Sequence, residues 1–176
     1  MPDLVYMNTS TRQVTVNYNG GAGGATLIGW AYLNSAGESA PWKVMAVADM
    51  NGDGVPDLIW QNTSTAQVTV NYYGGAGGAS LEGYNFLYYE SGLTVAAAAD
   101  FDGNGTPDLV WQNSGGTAVQ VDYYGLSGGQ AVYQNRSNGL HAGGSGWTVT
   151  VAADMNGDGV PDLIWQDPTL GVTVNF

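Results

Sequence analysis

The 176-residue sequence has no cysteine and one histidine. It has three lysine and arginine residues in total against 15 carboxylates, which gives a formal net charge of −12. Without cysteine there are no disulfides or thiolate ligands, and one histidine cannot build a multi-histidine metal site. Three cations cannot supply the basic surface that nucleic-acid phosphates require. No apolar run approaches the roughly 20 residues of a membrane span. We therefore expect neither a nucleic-acid partner nor insertion into a membrane.

Charged residues make up only 10% of the chain, which instead contains 28 glycines, 11 tyrosines and 6 tryptophans. Disordered chains also carry unusual compositions, but they lack aromatic and β-branched residues. Glycine-rich turns between runs of valine, threonine and tyrosine are typical of short strands joined by tight turns. The composition therefore predicts an all-β fold.

One segment occurs four times, as PDLVYMN from residue 2, PDLIWQN from residue 56, PDLVWQN from residue 107 and PDLIWQD from residue 161. It divides the chain, taken as a single domain (1–176), into repeats of approximately 2–55, 56–106 and 107–160 and an incomplete repeat 161–176. Each complete repeat offers four strand-like runs, which predicts β-propeller blades of four antiparallel strands. A β-sandwich with accidental similarity is the alternative, and the near-identity of the repeats disfavours it.

The strand-like runs differ in their patterns. Val68, Thr69 and Val70 alternate, which predicts a strand with one buried and one polar face. Residues 95–99 and 149–153 are small and continuously apolar, which predicts inner strands buried on both faces. The chain holds about 3.5 blades, whereas a closed propeller needs about 4–8. We expect the ring to be closed by identical copies, with a dimer as one possibility, or by repeats of a longer parent chain.

A nine-residue loop rich in carboxylates also occurs three times, in the form D-x-[ND]-G-[DN]-G-x-P-D. Side-chain oxygens at positions 1, 3, 5 and 9 and the backbone carbonyl at position 7 can converge on one cation. The predicted ligands are Asp49, Asn51, Asp53, Val55 and Asp57; Asp100, Asp102, Asn104, Thr106 and Asp108; and Asp154, Asn156, Asp158, Val160 and Asp162. An all-oxygen donor set predicts Ca2+, at about three sites per chain, rather than the more strictly octahedral Mg2+.

The same loop has two other interpretations. An EF-hand requires a glutamate at position 12, where these loops have Trp60, Trp111 and Trp165. A metal-free Asx-turn that caps a hairpin is the remaining alternative. Repulsion between three converging carboxylates disfavours it unless a cation is bound.

The D-x-N-G-D-G-x-P-D-L loop and the Ile-Trp-Gln-Asn that follows it resemble the FG-GAP/VCBS-type repeat. Such repeats build the β-propellers of integrin α-chains and of some propeller lectins. The resemblance covers essentially the whole chain. It implies calcium between the first and second strands of each blade and an extracellular or cell-surface (secreted) location. Asp3 matches position 9 of the same loop, whose earlier positions are absent.

Catalysis has little support in the sequence. No G-x-S-x-G motif is present, and the carboxylates outside the acidic loops do not recur as a pair of the kind that glycosidases use. Arg12, Lys43 and Arg136 are interpreted as surface charges. We predict that the protein is not an enzyme.

Aromatic residues near the blade junctions are the candidate ligand-binding residues, because aromatic faces stack on sugar C–H surfaces beside polar groups. These are Trp30, Tyr32, Trp42, Tyr84, Phe86, His141 and Trp147. Packing between blades is the alternative for the tryptophans and for Tyr84. The recurrent Trp60, Trp111 and Trp165 are predicted to belong to the core between blades.

The sequence thus favours a non-catalytic, calcium-stabilised propeller module that binds carbohydrate, in the manner of a lectin, at blade junctions. One alternative is a protein-interaction or adhesion scaffold of the integrin-propeller type. Another is an engineered or excised propeller fragment that assembles with itself and has no activity of its own.

Overall fold

The computed structural model describes residues 3–34, 39–137, 140, 143–169 and 171–175. These residues form fourteen strands and one short 3-10 turn at Ala22–Gly24. The strands are β1 (Leu4–Met7), β2 (Val14–Gly20), β3 (Thr26–Asn34), β4 (Trp42–Ala48), β5 (Asp57–Asn62), β6 (Val68–Gly74), β7 (Ser80–Leu87), β8 (Leu93–Ala99), β9 (Asp108–Asn113), β10 (Val119–Ser127), β11 (Gln130–Ser137), β12 (Thr148–Ala153), β13 (Asp162–Asp167) and β14 (Gly171–Asn175). The predicted all-β fold is confirmed.

Consecutive strands pair antiparallel in four separate sheets. The first sheet contains β1–β3, the second β4–β7, the third β8–β11 and the fourth β12–β14. Each sheet of four strands begins with the strand that precedes an acidic loop, so the sheets are offset by one strand from the sequence repeat. The first sheet has no counterpart of β4, and the fourth has no counterpart of β7. Within the described residues the four sheets do not close a ring.

The core lies between neighbouring sheets rather than within any one of them. Val14 of the first sheet packs with Leu58 and Trp60 of the second. Corresponding clusters join the second sheet to the third and the third to the fourth, around Trp111 and Trp165. All three tryptophans are buried. The prediction that they form the core between blades is confirmed.

The inner strands differ from the prediction of burial on both faces. β4, β8 and β12 lie side by side, and their small residues line a groove of about 190 Å³. One side of the row is nevertheless open, because Val47 and Val151 are exposed. The prediction is therefore wrong for residues 149–153, where Thr150 and Val151 are exposed, because no further sheet among the described residues covers that side of the row. Residues 95–99 are all buried or half-buried.

The prediction of one polar face for residues 68–70 is also wrong. Thr69 is buried together with Val68 and Val70, because β6 belongs to a sheet that lies between two others. In β2 the alternation is visible, since Val14 and Val16 are buried and Thr15 is half-buried. The first sheet has a neighbour on one side only.

The part of the chain that the structure describes contains no helix with the length and apolar character needed to span a membrane.

Candidate functional site

The three acidic loops, residues 49–57, 100–108 and 154–162, connect the first strand of the second, third and fourth sheets to the next strand. Position 9 of each loop is the first residue of β5, β9 or β13. The loops therefore stand at equivalent places in three sheets. This is the place that the resemblance implied for them.

The aspartate at position 1 organises the backbone of each loop. In the first loop, Asp49 Oδ1 accepts a hydrogen bond from Gly52 N at 2.7 Å and Oδ2 accepts one from Gly54 N at 2.8 Å. The equivalent distances are 2.8 and 2.8 Å for Asp100, and 2.6 and 2.9 Å for Asp154. These backbone donors lower the pKa of Asp154. Gly52 and Gly54 have φ angles of 77° and 86°, a region that favours glycine.

The aspartate at position 9 fastens the loop to the sheet. Asp57 accepts hydrogen bonds from Met50 N at 2.9 Å and from Tyr73 N, on β6, at 2.8 Å. Asp108 accepts the equivalent bonds from Phe101 N and Tyr124 N at 2.8 and 2.9 Å. Sequence reasoning treated this position as a ligand only. The contact with the third strand of the sheet could be found only once the strand pairing was known.

Burial is the main influence on the pKa of these two position-9 aspartates. Both Asp57 and Asp108 are buried, and this burial raises the pKa of each carboxyl to about 6, despite the opposing effect of the two backbone donors. Nearby carboxylates add to the rise, Asp49 and Asp53 in the first loop and Asp102 and Asp100 in the second. In the absence of a cation the folded protein thus resists ionisation of Asp57 and Asp108.

The pH dependence of the metal-free protein follows from these values. A carboxyl whose pKa is higher in the folded state than its ordinary value of 3.8 favours folding most below that pH. The favourable contribution is lost as the pH rises through about 6. Thermal melts of exhaustively dialysed protein between about pH 4 and 7 should therefore show a melting temperature that falls as pH rises.

Asp57→Asn and Asp108→Asn are the matched variants for this experiment, since they remove the titrating groups in turn and should flatten the decline. The lowered pKa of Asp154 acts in the opposite direction, but its exposed carboxyl contributes little. A melting temperature that rises steadily from pH 4 to 7 in wild-type protein without calcium would contradict this assignment.

The second loop gathers its carboxylates most closely. Oxygen atoms of Asp100, Asp102 and Asp108 lie within 4.8 Å of one another. Among the described residues, this is the one group of three such side chains close enough to share a cation. In the first and third loops, position 3 is Asn51 or Asn156, and its amide nitrogen instead donates to the aspartate at position 5.

The donor set of the loops fits calcium. Every predicted side-chain ligand offers oxygen, and a carboxylate oxygen that accepts one backbone hydrogen bond keeps a lone pair for a cation. The hydrogen bonds are also those of the metal-free Asx-turn alternative, so the two interpretations share one loop geometry. The carbonyl ligands at Val55, Thr106 and Val160 stay a prediction.

Residues 100–165 match the family model of the FG-GAP-like repeat. The match begins at the first aspartate of the second acidic loop, includes the third loop and ends at the buried Trp165. It confirms the resemblance for this part of the chain. The comparison with curated proteins gave no significant match. Together with the four antiparallel sheets, the FG-GAP-like match identifies a propeller-type repeat module.

Four of the candidate ligand residues lie outside the FG-GAP-like segment as two equivalent aromatic pairs. Trp30 and Tyr32 on β3 meet edge to face with ring centroids 5.2 Å apart, and Tyr84 and Phe86 on β7 do so at 6.0 Å. All four are exposed. They are not packed between sheets within this chain.

A groove of about 310 Å³ brings Tyr84 and Phe86 together with the half-buried Trp42. Its other lining residues are Trp60, Thr69, Asn71 and Leu81. We call this the aromatic groove. It lies on the face of the second sheet that is turned toward the first.

The remaining candidates do not join this groove. Trp147 is half-buried and packs against the core between the third and fourth sheets. Its carbonyl accepts a hydrogen bond from Gln112 Nε2 at 2.9 Å. His141 lies outside the described residues.

The third sheet has a charged cluster where the second has the aromatic groove. Asp122 and Arg136 occupy the positions of Asn71 and Tyr84, because both pairs face each other between the third and fourth strands of their sheets. Arg136 Nε lies 2.6 Å from Asp122 Oδ1, and Arg136 also pairs with Glu90. Its guanidinium lies 5.0 Å from the ring centre of Tyr88.

The interpretation of Arg136 as a surface charge was therefore wrong, since its side chain is only 16% exposed and that of Asp122 is 0% exposed. The hydrogen bond to Asp122 is the main cause of a raised pKa for Arg136. The two residues are far apart in sequence and face each other only through the register of β10 and β11, so spacing alone could not reveal the pair.

Proposed function

We propose that this chain is a non-catalytic, calcium-stabilised propeller-type module that binds carbohydrate in the aromatic groove. The observation that carries the calcium assignment is the convergence of Asp100, Asp102 and Asp108 within 4.8 Å. The same loop framework recurs twice more, so the proposal is about three calcium ions per chain. The FG-GAP-like repeat supports a secreted or cell-surface location.

Calcium would act in these loops chiefly by neutralising charge. The carboxylates at positions 1, 3 and 9 of the second loop repel one another, and a bound cation converts that repulsion into attraction. Three calcium ions would change the formal charge of the chain from −12 to −6. Because Asp57 and Asp108 also hold the third strand of their sheets, neutralisation at position 9 should stabilise each sheet as well as its loop.

A single-site variant tests this proposal. Asp102 is exposed, and its contacts lie within its own loop, to Asn104. Asp102→Ala should therefore leave the metal-free stability within about 0.5 kcal/mol of wild type. It should also reduce the calcium stoichiometry from about three to about two in isothermal titration calorimetry. Unchanged stoichiometry would count against the second loop as a calcium site.

The aromatic groove suits a neutral, hydroxyl-rich ligand. Its described lining residues are all uncharged, and they combine four aromatic side chains with the side chains of Thr69 and Asn71. Aromatic platforms with a few polar groups are typical of small-ligand pockets, and rings of this kind stack on sugar C–H faces. A lining without acidic side chains also supports binding rather than glycoside hydrolysis, which needs two carboxyl groups.

A glycan array with calcium-loaded protein tests the carbohydrate assignment. For any sugar that binds, the double variant Tyr84→Ala/Phe86→Ala should weaken affinity roughly tenfold or more, a loss of about 1.4 kcal/mol. Tyr89→Ala is the matched control, because Tyr89 is an exposed aromatic residue outside the groove, and it should leave affinity unchanged. An array without hits on folded protein would overturn carbohydrate binding.

A protein-interaction scaffold is the second candidate, and one observation favours it. The outer face of the first sheet exposes Leu4, Tyr6, Trp30 and Tyr32 together. Large exposed apolar patches mark sites of association.

A further inference from the structure

We propose that the exposed faces of the first and fourth sheets are the two halves of one interface, through which two copies of this chain join head to tail. The chain already contains three junctions of this kind between neighbouring sheets. The proposed interface depends neither on calcium nor on carbohydrate, because none of its residues belongs to an acidic loop or to the aromatic groove.

Each sheet has two apolar faces with distinct and repeated residues. The leading face carries a leucine and an aromatic residue of β1, β5, β9 or β13: Leu4 and Tyr6, Leu58 and Trp60, Leu109 and Trp111, and Leu163 and Trp165. The trailing face carries three branched residues of the same strand and the one after it: Val5, Val14 and Val16; Ile59, Val68 and Val70; Val110, Val119 and Val121; and Ile164, Val172 and Val174.

Within the chain, a trailing face always packs against the leading face of the next sheet. Val14 shares a cluster with Trp60, Val68 with Trp111, and Val119 with Trp165. The same pair of positions thus meets at all three internal junctions. The leading-face residues there are almost completely buried, as Leu58 and Trp60 at 1% exposure illustrate.

Two faces have no such partner among the described residues. On the leading face of the first sheet, Leu4 is 50% and Tyr6 51% exposed. On the trailing face of the fourth sheet, Val172 is 67% exposed, and Ile164 and Val174 are half-buried. The first sheet thus exposes a leading face and the fourth sheet exposes a trailing face. Faces of these two types pack against each other at all three junctions within the chain. The complement of each open face is therefore the other, supplied by a second copy.

The internal junctions also predict the residue contact across the new interface. Val172 occupies the position of Val14, Val68 and Val119, and Tyr6 that of Trp60, Trp111 and Trp165. Tyr6 of one copy should therefore contact Val172 of the other. Tyrosine is smaller than tryptophan but presents the same flat apolar surface to a valine.

Two copies fit the geometry of a closed ring. A contact between two different faces is heterologous. Such contacts form a closed ring only if the successive rotations from one unit to the next add up to a full turn, and otherwise they form an open filament. The inner strands β4, β8 and β12 approach one another more closely than the outer strands β7 and β11, so successive sheets fan out around the inner edge. Two copies supply eight sheets, within the range of about 4–8 blades, whereas three copies would exceed it.

Light scattering during size-exclusion chromatography, in roughly physiological salt to screen the repulsion between acidic chains, measures the assembly. Wild-type protein should have twice the 18.3 kDa mass of one chain. Tyr6→Asp and Val172→Asp should each give the monomer mass with an unchanged circular dichroism spectrum, because both positions are exposed in the single chain. Val132→Asp, an exposed valine on β11 away from both faces, is the matched control and should stay dimeric.

A monomeric wild type would overturn the proposal and would favour further repeats or another protein as the occupant of these faces. A dimer that survives either aspartate substitution would overturn it as well. An interface between two copies of the same face predicts a different pattern, in which only one of the two substitutions breaks the dimer.

Cross-linking tests the head-to-tail orientation directly, since the chain has no cysteine of its own. A mixture of Tyr6→Cys and Val172→Cys protein, treated with a short bis-maleimide, should give a cross-linked dimer. Each variant alone should give almost none, because like positions lie far apart in a head-to-tail pair. Equal cross-linking of either variant alone would contradict the orientation.

Discussion

Replacing Trp111 with alanine should lower the free energy of unfolding by about 3–5 kcal/mol, because it leaves a large cavity in the middle of the chain. Trp111 is 0% exposed and fills the junction between the second and third sheets with Val68 and Leu109. Chemical denaturation followed by circular dichroism measures the loss. A loss below about 1 kcal/mol would mean that the packing of Trp111 at this junction contributes little to the stability of the protein.

Trp111→Phe is the matched variant, because the indole nitrogen of Trp111 has no hydrogen-bond partner among the described residues. Phenylalanine keeps most of the ring and gives up no hydrogen bond, so it should cost clearly less than alanine. Tyr89→Ala, at an exposed position, should change the free energy of unfolding by less than about 0.5 kcal/mol. A phenylalanine variant as unstable as the alanine variant would reveal a polar role for the indole.

Replacing Arg136 with alanine should also destabilise the protein, by about 3–5 kcal/mol, because it leaves the carboxylate of Asp122 buried without its cation. Asp122 is 0% exposed and receives two hydrogen bonds from the guanidinium, at 2.6 and 3.0 Å. Chemical denaturation followed by circular dichroism measures the loss. Glu90→Gln alters only the more exposed partner and should cost less than about 1 kcal/mol.

The double variant Arg136→Ala/Asp122→Asn separates charge from packing. Removing the carboxylate charge as well should restore a large part of the stability, since the penalty of the single variant arises from an uncompensated buried charge. If the double variant is as unstable as Arg136→Ala, the contribution of Arg136 comes from its contact with Tyr88 and from packing instead.

The architecture could be predicted from the sequence because each repeat contains the same series of strand-like runs and turns. The motif around each tryptophan, the valine pair that follows and the glycine turns predict about 3.5 blades of four strands, and the structure has fourteen strands in sheets of three, four, four and three. The burial of Trp60, Trp111 and Trp165 followed from the recurrence of one large aromatic residue at a fixed position.

Burial that depends on the number of neighbouring sheets could not be predicted in the same way. Thr69 is buried and Val151 is exposed because the second sheet has two neighbours and the inner strands have an open side. A residue pattern reports which faces are apolar, and it does not report how many sheets a chain supplies to cover them.

At the candidate site, the sequence predicted the acidic loops but not the differences between junctions. The aromatic groove around Tyr84 and the ion pair of Arg136 with Asp122 occupy equivalent positions in two sheets. Their equivalence depends on strand register, as does the contact from position 9 of the loop to the third strand. A ligand that enters the groove of the second sheet should find the corresponding place in the third sheet filled by these charged side chains.

Calcium binding is the main element of the proposed function, and we expect it to raise the free energy of unfolding. Without calcium, Asp57 and Asp108 oppose ionisation, since burial raises the pKa of each carboxyl to about 6. With calcium, ionised carboxylates are the ligands, so binding should strengthen as the pH rises. A ligand that binds only the folded chain stabilises it by about 2.7 kcal/mol at a hundredfold excess over its dissociation constant.

The most direct test is a calcium titration of exhaustively dialysed wild-type protein at neutral pH, followed by isothermal calorimetry. We predict saturable binding of about three calcium ions per chain, accompanied by a higher melting temperature that EDTA returns to its starting value. Magnesium at the same concentration should bind more weakly, because it demands a stricter octahedral geometry. No heat of binding from folded protein, together with a melting temperature unchanged by calcium, would contradict the account.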